Sequence, residues 1–312
     1  MRYSNLRAWT RSLALILTVA VAAGTITGAS SAPTAQQGKA AAAERANLRG
    51  TGPQFGGTIF ERPGESYREA YKRVTRAYGG SIGAVRMFFP RMPQSWSSIT
   101  QKVDNTPIVA SFKAGPRSVL AGHHDAELRK WFSDAPTNRR TFWNYWHEPE
   151  DDSVHRASYR QAWRHINRLA VRASNPKLKA TLILMCWTLS PNSGRKWRHY
   201  YPGHRVIDVM GFDCYNTGRK QGVYRDPAKI LRPVVRVARS LGKPWGIAEF
   251  GSTIVRSDGG RPGRAAWLRR YARYVRNHGG AFATYFDSHV GFDYRLRDGA
   301  SRRAWRAVVQ AR

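Results

Sequence analysis

From Phe55 to the end, the chain alternates short apolar runs with longer segments whose apolar residues recur at helical spacing. Alternation of this kind restricts a chain to a mainly parallel sheet with helical crossovers. Seven of the strand-sized runs are Phe55–Phe60, Ile82–Phe89, Pro107–Lys113, Leu178–Leu189, Val206–Cys214, Trp245–Phe250 and Ala281–Phe286. The remaining one, fourth in order, opens at Thr141 and is rich in aromatic residues. Helices are expected over Ser66–Tyr78, Ser158–Ala173, Pro227–Leu241, Arg264–His278 and Ser301–Gln310, with shorter ones over Trp96–Asp104 and Asp125–Phe132. Glycine pairs close two of them, Gly79-Gly80 and Gly279-Gly280. Eight strand units close a barrel, whereas an open doubly wound sheet, the competing architecture, has no need of eight. The expected fold is α/β, a single (β/α)8 TIM barrel.

The first residues read differently. Arg2, Arg7 and Arg11 precede an apolar stretch, Ser12–Gly24, and the small residues Ser30-Ser31-Ala32 before Pro33. That is the form of a cleavable secretory signal over residues 1–32. The apolar stretch is short beside the ~20 residues of a membrane span, which would be the other reading. Residues 33–50, rich in Ala and Gln, read as a disordered linker. Residues 51–312 then form the one domain, close to the roughly 250 residues of an ordinary barrel. A secreted, extracellular monomer is expected.

The chain of 312 residues has 52 Lys and Arg against 20 Asp and Glu, a formal charge of +32. Such a charge bears on partners rather than on fold. Arginines are scattered through the expected helices, Arg156, Arg160, Arg164, Arg168 and Arg172 around one of them. No zinc-finger spacing or glycine-rich phosphate loop accompanies them. A solvated basic surface is expected, able to linger on an anionic cell-surface polymer, and no nucleic-acid partner. Cys186 and Cys214 permit one disulfide; both fall in expected strands, so a bridge and two buried thiols both remain open.

In a barrel of this kind the active site gathers at the C-terminal ends of the strands. Polar residues do collect there: Glu61, Arg86, Lys113, His147, Glu148, Asp213, Tyr215, Asn216, Glu249, Asp287 and Ser288. Two carboxylates stand out. Glu148 sits in Trp146-His147-Glu148-Pro149, where the proline ends the ladder, and this places Glu148 on the last rung of the fourth strand. Glu249 is the one charge in Trp245-Gly246-Ile247-Ala248-Glu249-Phe250. Two carboxyl groups at strand ends suit acid/base and nucleophilic work on a sugar acetal. The bland readings are a solvated loop acid for Glu148, one of the run Glu148, Glu150, Asp151 and Asp152, and an ion pair with Arg86 for Glu249.

His147-Glu148-Pro149, Ile247-Ala248-Glu249-Phe250-Gly251 and Gly211-Phe212-Asp213-Cys214-Tyr215-Asn216 resemble clan A glycoside hydrolases. The histidine before the first glutamate looks like glycoside hydrolase family 26, the β-mannanase family. The resemblance implies Glu148 as acid/base, Glu249 as nucleophile, Tyr215 as a hydrogen-bond donor to that nucleophile, and Arg86 beside it. It implies an endo-acting, retaining hydrolase of β-linked polysaccharide, β-mannan favoured, needing no metal or cofactor. One departure concerns the floor of the reacting subsite. The family commonly supplies a tryptophan from the eighth strand, where this chain has Tyr285 and Phe286; Tyr285 is the expected substitute. His147 either binds sugar or positions a glutamate, or is a packed histidine. Of Trp143, Trp146, Trp187 and Trp197, Trp187 is the expected stacking platform. Asp213 is expected to accept hydrogen bonds behind the site, and His123-His124-Asp125 to cap a helix or lie on the surface rather than hold a metal. A weakly catalytic polysaccharide- or cell-wall-binding barrel is the alternative; in that case Glu249→Ala would spare function.

Overall fold

The computed structural model describes residues 52–258 and 262–311. The signal and linker expected over residues 1–50 lie outside the described residues. Eight parallel strands close on themselves in chain order. They are β1 (Gln54–Thr58), β2 (Ala84–Phe89), β3 (Ile108–Phe112), β4 (Thr141–Tyr145), β5 (Leu178–Met185), β6 (Val209–Asp213), β7 (Trp245–Phe250) and β8 (Gly280–Tyr285). Around them run α1 (Tyr67–Ala77), α2 (Trp96–Val103), α3 (Pro116–Leu120), α4 (Asp125–Ser133), α5 (Arg156–Val171), α6 (Pro227–Ser240), α7 (Gly263–Asn277) and α8 (Gly299–Gln310). No described helix is long and apolar enough to cross a membrane.

Strand alternation sorts the side chains. In β4, Phe142 points into the barrel and meets Phe282 of β8 at 4.5 Å between ring centroids. Trp143 points out and stacks on Trp163 of α5 at 5.1 Å. Asn144 points in again, accepting from Ser111 at 3.3 Å and donating to the Thr181 carbonyl at 2.8 Å. Tyr145 points out against Tyr159 at 5.7 Å. The barrel interior is thus a small apolar layer of Val109, Phe142, Ile183, Val209, Ala248, Ala281 and Phe282, and a larger core lies between strands and helices. Helix starts follow local chemistry. Ser66 and Glu69 form a capping box at α1, and the Asp226 and Asp298 side chains cap α6 and α8.

Three expectations are corrected. β5 ends at Met185, and the expected strand segment through Leu189 is a 3-10 turn, Cys186–Leu189. β5 is followed only by such turns, and its crossover to β6 carries no α-helix. β6 begins at Val209, not Val206. Neither cysteine is therefore in a strand: Cys186 opens the turn after β5, Cys214 follows β6, and the two are bridged. The short helix α3 was not anticipated. Pro116 starts it, where a missing N–H costs nothing.

Gly246 of β7 is required by the interior packing. A Cβ there would come within 2.5 Å of the Phe282 ring. Gly246→Ala is expected to destabilise the barrel by about 1–3 kcal/mol, read as a lower denaturation midpoint. A second change, Phe282→Leu, should recover part of the loss.

Candidate active site

Arg86 and Glu249 occupy the mouth of the barrel from β2 and β7. Arg86 Nη2 donates to Glu249 Oε1 at 3.1 Å, with the guanidinium side chain fully shielded from solvent. Its Nη1 donates to the carbonyls of Met87 at 3.1 Å and Val109 at 3.2 Å, and the group lies over the Phe88 ring at 4.0 Å. Tyr215 Oη, two residues past the end of β6, donates to Glu249 Oε2 at 2.7 Å. Both oxygens of Glu249 thus accept from fixed donors, the arrangement of an ionised carboxylate.

Glu148 approaches from the neighbouring loop and is not on a rung of β4, which ends at Tyr145. The chain breaks out through two left-handed residues, Trp146 at φ 56° and Glu148 at φ 50°. Non-glycine residues held there cost of order 1–3 kcal/mol each and collect at functional sites. Backbone bonds hold the turn in place: Trp146 N–H reaches Phe112 O at 2.8 Å, and Glu148 N–H reaches Ile183 O at 3.2 Å. Burial, reinforced by the charge of Glu249, pushes the Glu148 carboxyl up to about 8. The two glutamates therefore lie in each other's field, one gripped by two donors and the other favoured in its protonated form.

Asp213, last residue of β6, is paired with Glu249 by a register shift between β6 and β7. It was expected to accept hydrogen bonds. Instead, neither of its buried oxygens has a partner, and burial, then the charges of Glu249 and Glu148, raise it well above the carboxylate range. Beside two other carboxyl groups its neutral form is favoured. His147 meets Phe88 edge-on at 5.5 Å. Burial and the charges of Arg86 and Lys113 lower its pKa well below normal, so it is a neutral imidazole whose Nδ1 has no partner.

The acid run after Glu148 divides into separate tasks, which sequence position alone did not reveal. Glu150 is buried and accepts the Met185 N–H at 3.0 Å, pinning the exit of β5. Asp151 pairs with Arg195 at 2.5 Å. Asp152 accepts from Trp146 Nε1 and from Lys113, both at 2.6 Å.

Tyr285 is a correction. It is fully buried on the outer side of β8, donates to the Tyr294 carbonyl at 2.6 Å and packs on Trp305 of α8. Strand parity turns it outward, and it does not line the mouth. The next residue, Phe286, does: it meets Phe60, Phe88 and Tyr215 edge-on at 5.7, 6.4 and 5.9 Å. The period-two pattern of Ala281–Phe286 carried that signal. Trp187 lies in the turn after β5, 46% exposed, the one aromatic among the exposed large apolar residues described. Its neighbour Cys186 is bridged to Cys214, next to Tyr215, so the disulfide ties the Trp187 turn to the strand end that serves Glu249. Trp143 is an outward core residue, and Trp197 packs on Tyr201.

His124 hydrogen-bonds Ser118, and Asp125 takes His165 Nε2 at 2.6 Å. Among the described residues no group of three or more His, Cys, Asp or Glu could hold a metal. A cavity of about 240 Å³ at the opposite end of the barrel, lined by Gln54, Asn105, Arg139 and Lys177 among others, contains no carboxylate.

No family model matches the chain, and no characterised protein matches it in sequence. Solved structures do match its fold. A GH26 β-mannanase from Bacteroides ovatus superposes with a TM-score of 0.58 at 14% identity, over 87% of this chain and 93% of that one. A modular endo-β-1,4-mannanase from Cellulomonas fimi gives 0.57 at 15%, over 88% and 74%. A glucosidase from Croceicoccus marinus gives 0.59 at 13%, over 82% and 67%. The chain thus has a barrel fold of the kind these glycoside hydrolases have, the family 26 mannanases among them.

Glu150 yields a stability test. Burial raises it from 4.5 to about 7, so between those values the folded chain holds a proton that the unfolded chain has lost. Stability therefore falls as pH rises through that window. Glu150→Gln keeps an acceptor oxygen for Met185 and cannot ionise. It is expected to be more stable than wild type by about 1–3 kcal/mol above pH ~7 and equal to it near pH ~4, by denaturant titration at each pH.

Proposed function

We propose that the chain is a secreted, retaining, endo-acting glycoside hydrolase of β-linked polysaccharide, with β-mannan the first substrate to test. The observation that carries this reading is the unequal pair at the barrel mouth: Glu249 bound by Arg86 and Tyr215, and Glu148 raised to about 8 in its field. Acetal cleavage by double displacement calls for that inequality.

In the proposed reaction Glu249 attacks the anomeric carbon while Glu148 gives its proton to the leaving oxygen. Glu148 then takes a proton from water, which attacks the same carbon and releases Glu249. Arg86 and Tyr215 hold the nucleophile oriented. Neutral His147 offers a hydrogen bond from beside Glu148 without adding positive charge. Trp187 offers an exposed ring for a sugar face, and Phe286 takes the place at the floor of the reacting subsite that a tryptophan takes in the resembled family. The mannanases among the fold neighbours favour mannan, and a disulfide suits an oxidising extracellular setting.

Hydrolysis of mannan, mixed-linkage glucan, xylan and cell-wall glycans, followed by proton NMR of the first anomer released, tests the proposal. Retention is expected; first release of the inverted anomer would exclude double displacement. Glu249→Ala should abolish turnover. Glu148→Ala should lose roughly 10²–10⁴-fold, and added azide should restore part of it as a glycosyl azide of retained configuration. Hydrolysis unaffected in both variants would end the assignment, and binding without hydrolysis of any glycan would favour a carbohydrate-binding barrel.

A pH limit follows from the same pair. Glu148 must carry its proton at the start of the reaction, so kcat/KM is expected to decline above pH ~8, about tenfold per unit. A decline beginning below pH ~6 would assign the proton to another group.

A further inference from the structure

The positive charge is unevenly distributed over the folded chain. α6, α7 and α8 carry four, five and three Lys or Arg residues and no Asp or Glu. All but Arg264 are exposed. Arg232, Arg236 and Arg239 recur at three- and four-residue spacing and so share one face of α6, as Arg269, Arg273 and Arg276 do on α7. α7 packs between α6 and α8, which sets the rows side by side. Half-buried Tyr274 of α7 lies in the field of Arg232, Arg236 and Arg239 from the facing helix, together with the Asp226 carboxylate at the start of α6. Among the described residues, no carboxylate forms an ion pair with Arg232, Arg236, Arg239, Arg269 or Arg273.

On the opposite side α5 also carries Arg156, Arg160, Arg164 and Arg168 without an acid, but Arg160 and Arg164 turn to the carbonyls of His199 and Pro202. The helices after β3 differ further. Across from β7 stands β3, followed by α3 and α4, where Arg129 pairs with Asp125 at 3.5 Å and Lys130 with Asp134 at 2.8 Å. Around α1 and α2, Arg68 pairs with Asp104 at 2.6 Å and Arg73 with Glu65 at 2.7 Å. Arginines that look scattered along the sequence are gathered by the fold on the α6–α8 face, where Arg232, Arg236, Arg239, Arg269 and Arg273 lack a carboxylate partner among the described residues.

We propose that the α6–α8 face binds a flexible, carboxylate-bearing polysaccharide, which holds the protein in a glycan matrix. Guanidinium forks suit carboxylates. The three helices fan over about a quarter turn of the barrel wall, a curvature that a flexible chain follows and a flat bilayer does not. Duplex nucleic acid is too stiff to wrap it. Single strands are gripped by stacking on exposed aromatic rings, and none of the exposed large apolar residues described lies on these helices. The charge complementarity stands by itself; the choice of a glycan rests on the hydrolase reading.

The test is binding of the full chain to polygalacturonate at about 50 and 200 mM salt, with inorganic polyphosphate, oligo(dT), a DNA duplex and phosphatidylglycerol vesicles as competing probes. Polygalacturonate is expected to bind tightest. Arg232→Gln/Arg236→Gln/Arg273→Gln is expected to weaken it about tenfold at the lower salt and to shrink the log–log salt slope by about 2. Arg117→Gln/Arg129→Gln/Lys130→Gln changes net charge equally on the opposite side and should cost less than about twofold. All six side chains are exposed, and circular dichroism establishes that both variants are folded before binding is read. Equal loss in both variants, tighter binding to any other probe, or no binding to polygalacturonate at the lower salt would overturn the proposal. None of these readouts involves hydrolysis, so the outcome is separate from that of the catalytic tests.

Discussion

Arg86 and Glu249 meet at the barrel mouth almost without solvent, and burying two charges costs several kcal/mol per ion before their attraction is counted. The surrounding structure is arranged to offset that cost. Two carbonyls and the face of Phe88 take up the guanidinium, and Tyr215 takes the second carboxylate oxygen. Removing either partner would leave the other buried and uncompensated, so the pair holds three strand ends, β2, β6 and β7, in one register around it. With Glu249 charged there, the other carboxyl groups of the mouth are pushed toward neutrality, which accounts in part for both Glu148 and Asp213.

Glu148 shows how strain and charge combine. Its turn carries two left-handed non-glycine residues, a conformation the local sequence does not favour. It persists because the loop is fastened on both sides: to β3 and β5 through backbone bonds, and to Lys113, Met185 and Arg195 through the acids that follow. A run of four acids that reads as a solvated loop is thus one carboxyl group in the cleft and three fasteners.

Much of this was legible beforehand. The alternation of apolar runs gave eight strands because buried parallel strands must be continuously apolar, and strand-end carboxylates stand out in a chain with so few acids. What misled was parity and the exact end of an element. Tyr285 and Phe286 are equally aromatic, and only the pairing of β8 with its neighbours decides that the first faces Trp305 and the second the mouth. The run Leu182–Trp187 is apolar without a break, so nothing in composition marked the turn at Cys186 that exposes Trp187.

The order of elements, the barrel and the two glutamates belong to the sequence, because periodicity and an acid beside a strand-sized apolar run are local properties of a chain. Which carboxyl group stays neutral, which aromatic ring meets solvent, whether two cysteines bridge, and how arginines from three helices come to share one face belong to the tertiary structure. Each depends on distances between residues far apart in the chain, and both Coulomb energy and desolvation are set by those distances and by the burial that packing creates.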